Sequence, residues 1–202
     1  FDPEIFKNRS LYGFTKLASE MLIREYNEVY GLDYIINRCG VITGPWQMGK
    51  ADQGVITLWM FNHYFGKQLK YIGFGGTGKQ VRDFIHIDDL SELIEIQLRS
   101  FVKYGSQTFN LGGGVNNSVS LMELTKLCQE ITGKKTNITI EKETRKGDIK
   151  WFIMDSSKIK KLSGWSAKKD INETLRDIHN WIKSNEEDIK KINKLKHLCS
   201  HK

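Results

Sequence analysis

The stretch VRDFIHIDDLSELIEIQLRSFVKYGSQTFNLGGG, residues 81–114, has the pattern of a strand, a helix and a second strand. Apolar and β-branched residues predict a strand over 81–87. The acidic pair Asp88-Asp89 follows, and acids suit the positive end of a helix dipole, so a helix is predicted over 88–102. A shorter strand is predicted over 108–111, where three glycines then end it. The stretch therefore indicates one strand–helix–strand unit.

The same alternation continues on both sides of this unit. Further helices are predicted over 10–30, 53–66, 120–133, 156–164 and 170–183, and short strands over 34–38, 69–72, 138–141 and 151–154. Ser120 with Glu123 three residues later is a capping box that starts one of these helices. Strands that alternate with helices predict the α/β fold class.

Composition excludes several classes of protein. The chain has 202 residues, 39% hydrophobic and 27% charged, and no apolar run reaches the roughly 20 residues that span a bilayer. Cys39, Cys128 and Cys199 are too far apart for a disulfide framework, which favours a reducing cytoplasm. The net charge of +7 leaves nucleic-acid binding open. The lysines lie mostly on predicted helix faces between Lys134 and Lys202, without interleaved aromatic residues, so a solvated basic surface is favoured.

A tyrosine and a lysine stand four residues apart in Tyr12-Gly13-Phe14-Thr15-Lys16. On a helix this spacing places both side chains on one face. An ammonium beside a phenol stabilises the phenolate, which can take a proton from a sugar hydroxyl. The lysine can also hold the ribose hydroxyls of a cofactor. Taken alone, the pair is more often a surface feature of a helix.

The glycine-rich run Gly73-Phe74-Gly75-Gly76-Thr77-Gly78-Lys79 satisfies the dinucleotide pattern G-x-G-x-x-G and nearly satisfies the P-loop pattern. Both patterns need a helix to follow, because the helix N-terminus holds the phosphate. A strand is predicted instead, and Gln80 stands where a P-loop has serine or threonine. We therefore predict a hairpin-like connection between two strands.

Two further motifs carry charges that suit a nucleotide. Arg82 precedes Asp83, and a planar guanidinium can grip a phosphate. Arg145-Lys146-Gly147-Asp148 places a base and an acid around a turn glycine, so one can meet phosphate and the other ribose hydroxyls. An Arg82–Asp83 surface pair and a solvated charged turn are the simpler interpretations of these motifs.

The order and spacing of these motifs are more specific than any one of them. Tyr12-x-x-x-Lys16, Arg38 at a strand end and Gly44-Pro45, followed by the motifs at 82–89, 145–148 and 164–165, resemble the extended short-chain dehydrogenase/reductase family. The resemblance extends to about residue 183. Asp52-Gln53-Gly54 and the segments 78–83 and 116–124 are similar to a subgroup of epimerases that act at C2 of CDP-linked sugars.

The resemblance implies an incomplete Rossmann-like doubly wound sheet plus a small α/β substrate-binding domain. Residues 1–48 would be the C-terminal part of the NAD-binding Rossmann domain. Residues 49–202 would mainly bind the nucleotide sugar, with 83–114 returning to the Rossmann sheet. The implied cofactor is NAD, the implied ligand is a nucleoside-diphosphate sugar, and the intact enzyme is expected to be a homodimer or homotetramer. No nucleic acid, membrane or metal is expected.

The implied activity is epimerisation by transient oxidation and re-reduction of the sugar, without net redox change. Tyr12 would be the general base and Lys16 its partner, both also touching the cofactor. Backbone contacts of Cys39 and Val41 would complete the cofactor site. Substrate would be held by residues of three further segments: Asp52, Gln53, Arg82, Arg145 and Asp148.

The chain also departs from the family pattern. It opens on Phe1-Asp2-Pro3 without methionine and reads as the middle of a longer protein. The family's glycine-rich cofactor loop and its catalytic serine or threonine are therefore expected upstream, and this chain alone is expected to bind NAD poorly and to be inactive. Val41, Thr43 and Phe152 replace residues common in relatives, which leaves the exact sugar open.

Three other functions remain open from the sequence. The nearest is another enzyme of the same family, namely a 4-epimerase, a 4,6-dehydratase or a nucleotide-sugar decarboxylase. The second is a non-catalytic module that binds nucleotide sugars. The third, nucleic-acid binding, predicts a steep salt dependence of affinity.

Overall fold

The computed structural model describes residues 10–49, 53–145 and 147–199. Within these ranges the helices are α1 Leu11–Tyr30, α2 Val55–Phe65, α3 Ile87–Arg99, α4 Phe101–Tyr104, α5 Leu121–Thr132, α6 Ser157–Ser163, α7 Ile171–Ser184 and α8 Glu186–Cys199. The strands are β1 Ile35–Cys39, β2 Val41–Thr43, β3 Leu69–Ile72, β4 Val81–His86, β5 Gln107–Leu111, β6 Ser118–Ser120, β7 Ile138–Glu141 and β8 Trp151–Phe152. The fold class is α/β, as predicted.

Helix α1 is defined by local chemistry at both ends. The Ser10 hydroxyl accepts the Gly13 N–H at 3.0 Å, which satisfies one of the free donors of the first turn. Gly31 adopts φ 67° and donates its N–H to the Asn27 carbonyl, and glycine takes this left-handed conformation without strain. None of the helix's twenty side chains is buried. A bidentate ion pair between Arg38 and Glu20 joins α1 to β1.

The strands form three small hydrogen-bonded groups. Strand β1 pairs with β5 in parallel, and β3 pairs with β7 in parallel. Strand β4 is central to the third group, because it pairs with β2 and β8 in parallel and with β6 antiparallel. Its register sets Arg82 opposite Val119 and Phe84 opposite Val41.

Strand β4 lies between two hydrophobic cores. Successive strand residues point to opposite faces, and here Phe84 enters a core with side chains of α2, α5 and α7, whereas Ile85 enters a second core with α3, β5 and α6. Both side chains have no exposed surface. Burying a side chain of this size contributes about 1.5–3 kcal/mol. Because side chains alternate along a strand, these two anchors also fix which face of the sheet the earlier residues of β4 point to.

The acidic start of α3 has a role beyond the helix dipole. The Asp89 carboxylate accepts the backbone N–H groups of Lys168 and Lys169, both at 3.1 Å. The Trp165 indole donates to the Asp89 carbonyl at 3.1 Å. Asp89 therefore ties the segment between α6 and α7 to the start of α3.

Most predicted elements are confirmed, but three differ. The predicted hairpin between β3 and β4 is wrong, because the glycine-rich run joins strands that pair with different partners. The helix predicted over 88–102 ends at Arg99, and Phe101–Tyr104 is a separate turn. Strands β2 and β6 were not predicted. Across the described ranges, no helix combines the length and the apolarity that a membrane crossing requires.

Candidate functional site

A cavity of about 550 Å³ lies between α2, β3, β4 and the segment that follows β7. Three of its four charged side chains gather near one region, namely Arg82, Arg145 and Asp148, whereas the fourth, Lys70, pairs with Glu141. The remaining wall is apolar or neutral and includes Leu58, Trp59, Asn62, Leu69, Ile72, Gln80, Val119, Leu121, Leu124 and Thr139. This size and this mixture of walls suit a small anionic molecule with an apolar body.

Arg82 and Asp148 form an ion pair at the charged end of the cavity. The Arg82 Nη2 atom lies 2.8 Å from Asp148 Oδ1, and both side chains are partly exposed. Arg82 Nη1 also donates to the Val81 carbonyl at 2.8 Å. The guanidinium is therefore held in place while part of its surface remains available to a ligand.

Arg145 and Asp148 belong to a turn that the glycine-rich run supports. The Asp148 N–H donates to the Arg145 carbonyl at 3.1 Å. The Phe74 N–H donates to Thr144 Oγ1 at 2.9 Å, and a Cβ at Gly76 would overlap Ile140. Arg145 is exposed and forms no ion pair with any residue that the structure describes. Its guanidinium is thus a free cation at the cavity rim within the described ranges.

Tyr12 and Lys16 lie together on α1, away from the walls of this cavity. The Lys16 ammonium is 5.4 Å from the centre of the Tyr12 ring, so the two side chains share one helix face. Tyr12 is 63% exposed. The two side chains therefore lie close together on an exposed face of α1.

The other predicted site residues are divided between the cavity and its surroundings. Val41 and Gln53 line the cavity, whereas Cys39 does not. Cys39 is half-buried at the end of β1, and burial raises the pKa of its thiol. Asp52 lies outside the described residues. The structure therefore brings Val41, Gln53 and the three charged residues around one space.

Asp83 faces away from the cavity, so the simple Arg82–Asp83 surface pair is not what forms. Its carboxylate is fully buried and accepts the Gly114 N–H at 3.2 Å. Burial raises the pKa of Asp83, and backbone N–H groups, among them those of Gly113 and Met154, partly oppose this rise. A Cβ at Gly112 would overlap the Asp83 carboxylate, so glycine is required there.

His86 lies at the centre of a second polar cluster. Its Nδ1 accepts the Asp88 N–H at 3.1 Å, which caps α3, and its Nε2 lies 3.6 Å from Asp177 Oδ2. Burial lowers the pKa of His86, and the charge of Lys169 lowers it further. His86, Asp88 and Asp177 are close enough to hold a cation. The Lys169 ammonium contacts the carboxylates of Asp88 and Asp177 at 2.8 and 2.6 Å, so it supplies the positive charge of this cluster.

Sequence reasoning missed the neutral wall of the cavity. Asn62 donates to the Gln68 carbonyl at 3.0 Å, and Thr139 donates to the Leu69 carbonyl at 3.3 Å. An asparagine inside a helix and a threonine in a strand carry no local signal of ligand binding. Only the tertiary approach of α2, β3 and β7 places them on one cavity.

Comparison with known proteins gives a consistent result. Residues 3–178 match the GDP-mannose 4,6 dehydratase family. The chain is 33% identical over 185 residues to UDP-glucuronate 4-epimerase of Thermodesulfobacterium geofontis, covering 91% of this chain and 53% of that protein. It is 30% identical over 180 residues to CDP-paratose 2-epimerase of Salmonella typhi, covering 87% and 52%.

The fold is likewise similar to that of a solved enzyme. UDP-glucuronic acid 4-epimerase from Bacillus cereus, in complex with UDP-glucuronic acid and NAD, aligns with a TM-score of 0.74 and 26% identity over 86% of this chain and 52% of that one. The chain spans about half the length of each of these relatives. It belongs to the GDP-mannose 4,6 dehydratase family, within the NAD-dependent nucleotide-sugar epimerases and dehydratases of the extended short-chain dehydrogenase/reductase class.

Proposed function

We propose that this chain carries the nucleotide-sugar site and the Tyr-Lys pair of an NAD-dependent epimerase whose substrate is a CDP-linked sugar inverted at C2. The observation that carries the proposal is the cavity that Arg82, Arg145 and Asp148 share with an apolar wall. A nucleoside-diphosphate sugar matches both parts of the cavity. Its doubly charged diphosphate suits the charged region, and its flat base suits the apolar wall.

Arg82 and Arg145 are the proposed diphosphate ligands. Guanidinium groups bind phosphate oxygens through two parallel hydrogen bonds, which fixes orientation as well as charge. Asp148 is the proposed acceptor for the nucleoside ribose hydroxyls. Its 2.8 Å ion pair with Arg82 orients the carboxylate beside the proposed phosphate position. The three side chains thus grip the part of the substrate that does not react.

The residues at the end of β1 and on α1 suit the nicotinamide end of NAD. Dinucleotides bind outside the carboxyl ends of parallel strands. Cys39 stands at such an end, because β1 runs parallel to β5, and Val41 follows two residues later at the start of β2. Lys16 offers three donors for ribose hydroxyls on an exposed helix face. NAD, when bound, reversibly accepts the hydrogen and electron pair that leave the sugar carbon.

Tyr12 performs the proton transfer in the proposed reaction. Its phenolate takes the hydroxyl proton as the sugar carbon becomes a ketone, and Lys16 stabilises the phenolate charge. The ketone is then reduced on its other face, the proton returns to the new hydroxyl and the configuration is inverted. The grip on the diphosphate allows the sugar to turn without leaving the enzyme.

The proposed domain arrangement follows from these roles. Residues 1–48 carry the proton-transfer pair and the cofactor contacts, and 49–202 carry most of the substrate site. The stretch 83–114 returns to the strand group of β1, because β5 pairs with it. The same chemistry at C4 of a UDP-linked sugar is the second candidate, supported by the 33% identity to a UDP-glucuronate 4-epimerase.

Calorimetric titration of this chain with CDP, UDP and dTDP tests the substrate site separately from catalysis. We expect Arg82→Ala to weaken nucleotide affinity by about 10- to 100-fold, since hydrogen bonds to charged groups contribute about 1.5–3 kcal/mol. Arg99→Ala is the matched control, because Arg99 pairs with Glu95 on α3 and does not line the cavity. Equal binding by wild type and Arg82→Ala, or no binding of any of the three nucleotides, would contradict the proposal.

A further inference from the structure

The segment that follows β2 folds back against the first turns of α2. Gly49 packs so closely on the backbone of Leu58 that a Cβ at Gly49 would overlap it. A Cβ at Gly54, the residue before α2, would lie 3.3 Å from the side-chain amide of Gln47. Gly54 and Leu58 line the cavity, whereas Gly49 and Gln47 do not. The segment therefore supports the α2 wall without lining the cavity itself.

The side-chain amide of Gln47 joins β2 to α2. Its Nε2 donates to the Ile42 carbonyl at 3.0 Å, and its Oε1 accepts the Thr57 hydroxyl at 2.8 Å. Because the Thr57 proton is used in this bond, the Thr57 oxygen accepts in its 3.4 Å contact with the Thr43 hydroxyl. Thr43 and Thr57 are 1% and 0% exposed. Burial excludes competing water and strengthens these hydrogen bonds.

Both ends of this bridge stand beside walls of the cavity. Ile42 directly follows Val41, which lines the cavity and is the proposed cofactor contact. Thr57 lies between two lining residues of α2, namely Ile56 and Leu58. The bridge can therefore act on a ligand only through the walls that it holds together.

We infer that Gln47 is a positioning residue that sets the separation between the β2 side of the cavity and its α2 wall. This role rests on the proposed function, in which β2 meets the cofactor and α2 meets the nucleotide sugar. Glutamine suits it because one planar amide offers both a donor and an acceptor. It thus satisfies a strand carbonyl and a helix hydroxyl with a single side chain.

Calorimetric titration of this chain with CDP tests the role of Gln47. Gln47→Leu loses both hydrogen bonds, so we expect CDP to bind about 5- to 10-fold more weakly. Thr57→Val removes only the hydroxyl and should also weaken binding. The double variant should bind about as weakly as the weaker single variant, because both changes break the same bridge. Thr57→Ser keeps the hydroxyl and should bind CDP as wild type does.

Asp170→Ala separates positioning from a general loss of stability. The Asp170 carboxylate caps α7 by accepting the Glu173 N–H at 2.8 Å, and Asp170 does not line the cavity. This variant should lower the melting temperature while CDP affinity stays that of wild type. Wild-type affinity in Gln47→Leu, or affinity that follows the melting temperature across all variants, would overturn the role of Gln47.

Hydrogen exchange without nucleotide distinguishes a failure of this role from a failure of the proposed function. Loss of the bridge should speed exchange of the amides of residues 58–60, at the start of α2, in Gln47→Leu but not in Asp170→Ala. If wild type does not bind CDP, the proposed function fails. Unchanged exchange in Gln47→Leu would show that Gln47 does not hold the α2 wall, whatever the outcome for CDP.

Discussion

Arg82 and Asp83 are consecutive in β4, yet they act on opposite sides of it. The Arg82 guanidinium lines the cavity and contacts Asp148 at 2.8 Å, whereas the Asp83 carboxylate is fully buried and accepts the Gly114 N–H at 3.2 Å. The pleat of one strand therefore links the cavity to the glycine loop after β5. Substitutions at these two positions should have different consequences.

Asp83→Ala should reduce stability and leave the cavity wall unchanged. The partly buried N–H of Gly114 would lose its acceptor, which costs about 1–3 kcal/mol in the free energy of unfolding. Urea denaturation measures this loss, with Asp188→Ala on the exposed face of α8 as control. A change below about 0.5 kcal/mol would mean that water or another group replaces the carboxylate.

His86 should make stability fall as the pH falls below 6.5. Its pKa in the folded protein is lowered by burial and by Lys169, although Asp88, Asp177 and Asp89 oppose this. The unfolded chain therefore takes up the proton first, so the stability present above 6.5 is lost as the pH falls through the lower folded pKa. The slope cannot exceed about 1.4 kcal/mol per pH unit for one proton.

His86→Asn removes this titration while an asparagine can still cap α3. The difference in unfolding free energy between wild type and variant should therefore shrink as the pH falls from 7 toward 5. Burial lowers the pKa of His63 in the same direction, so the difference, and not the wild-type curve alone, reports on His86. A difference independent of pH would show that His86 does not titrate in this range.

Under the proposed function, Tyr12→Phe should strongly lower kcat in an assay of the epimerase activity. Loss of a general base typically lowers kcat by about 10²- to 10⁴-fold, and KM should change little because the cavity is not altered. Tyr26→Phe is the matched control, since Tyr26 is an exposed tyrosine of the same helix. If Tyr12→Phe were as active as Tyr26→Phe, or had the kcat of the wild type, Tyr12 would be excluded as the base.

Helix α1 should be less protected than α7 in hydrogen exchange. It has no buried side chain, whereas α7 has five, among them the fully buried Leu175 and Ile178. Local opening of α1 exposes little new apolar surface, so its amides should exchange faster than those of α7. Glu20→Gln should accelerate α1 further by weakening its pair with Arg38. Equal protection of the two helices would require a partner on α1.

Local chemistry explains which elements could be predicted from the sequence. Ser10 and Gly31 set the ends of α1, and Ser120 with Glu123 forms the predicted capping box at the start of α5. These features depend on residues within one turn of each other. Strand β2 has only three residues and exists because it pairs with β4, so nothing local identifies it.

The local sequence pattern could not show which strands pair with each other. The glycine-rich run after β3 looked like a hairpin, but β3 pairs with β7, about seventy residues later. The same holds for the candidate site. Arg82, Arg145 and Asp148 were identified by their order along the chain, whereas Asn62 and Thr139 acquire meaning only where α2, β3 and β7 meet. Tertiary contacts therefore determine which uncharged residues line the cavity.

The five tryptophans divide sharply by exposure, with Trp59, Trp165 and Trp181 at 4%, 4% and 7% and with Trp46 and Trp151 at 76% and 69%. Trp59 is the one that borders the cavity. Its indole stacks on Tyr71 with an angle of 2° between the rings. Intrinsic fluorescence should consequently contain a blue-shifted component that responds to an occupant of the cavity, which provides an optical readout of binding without any label.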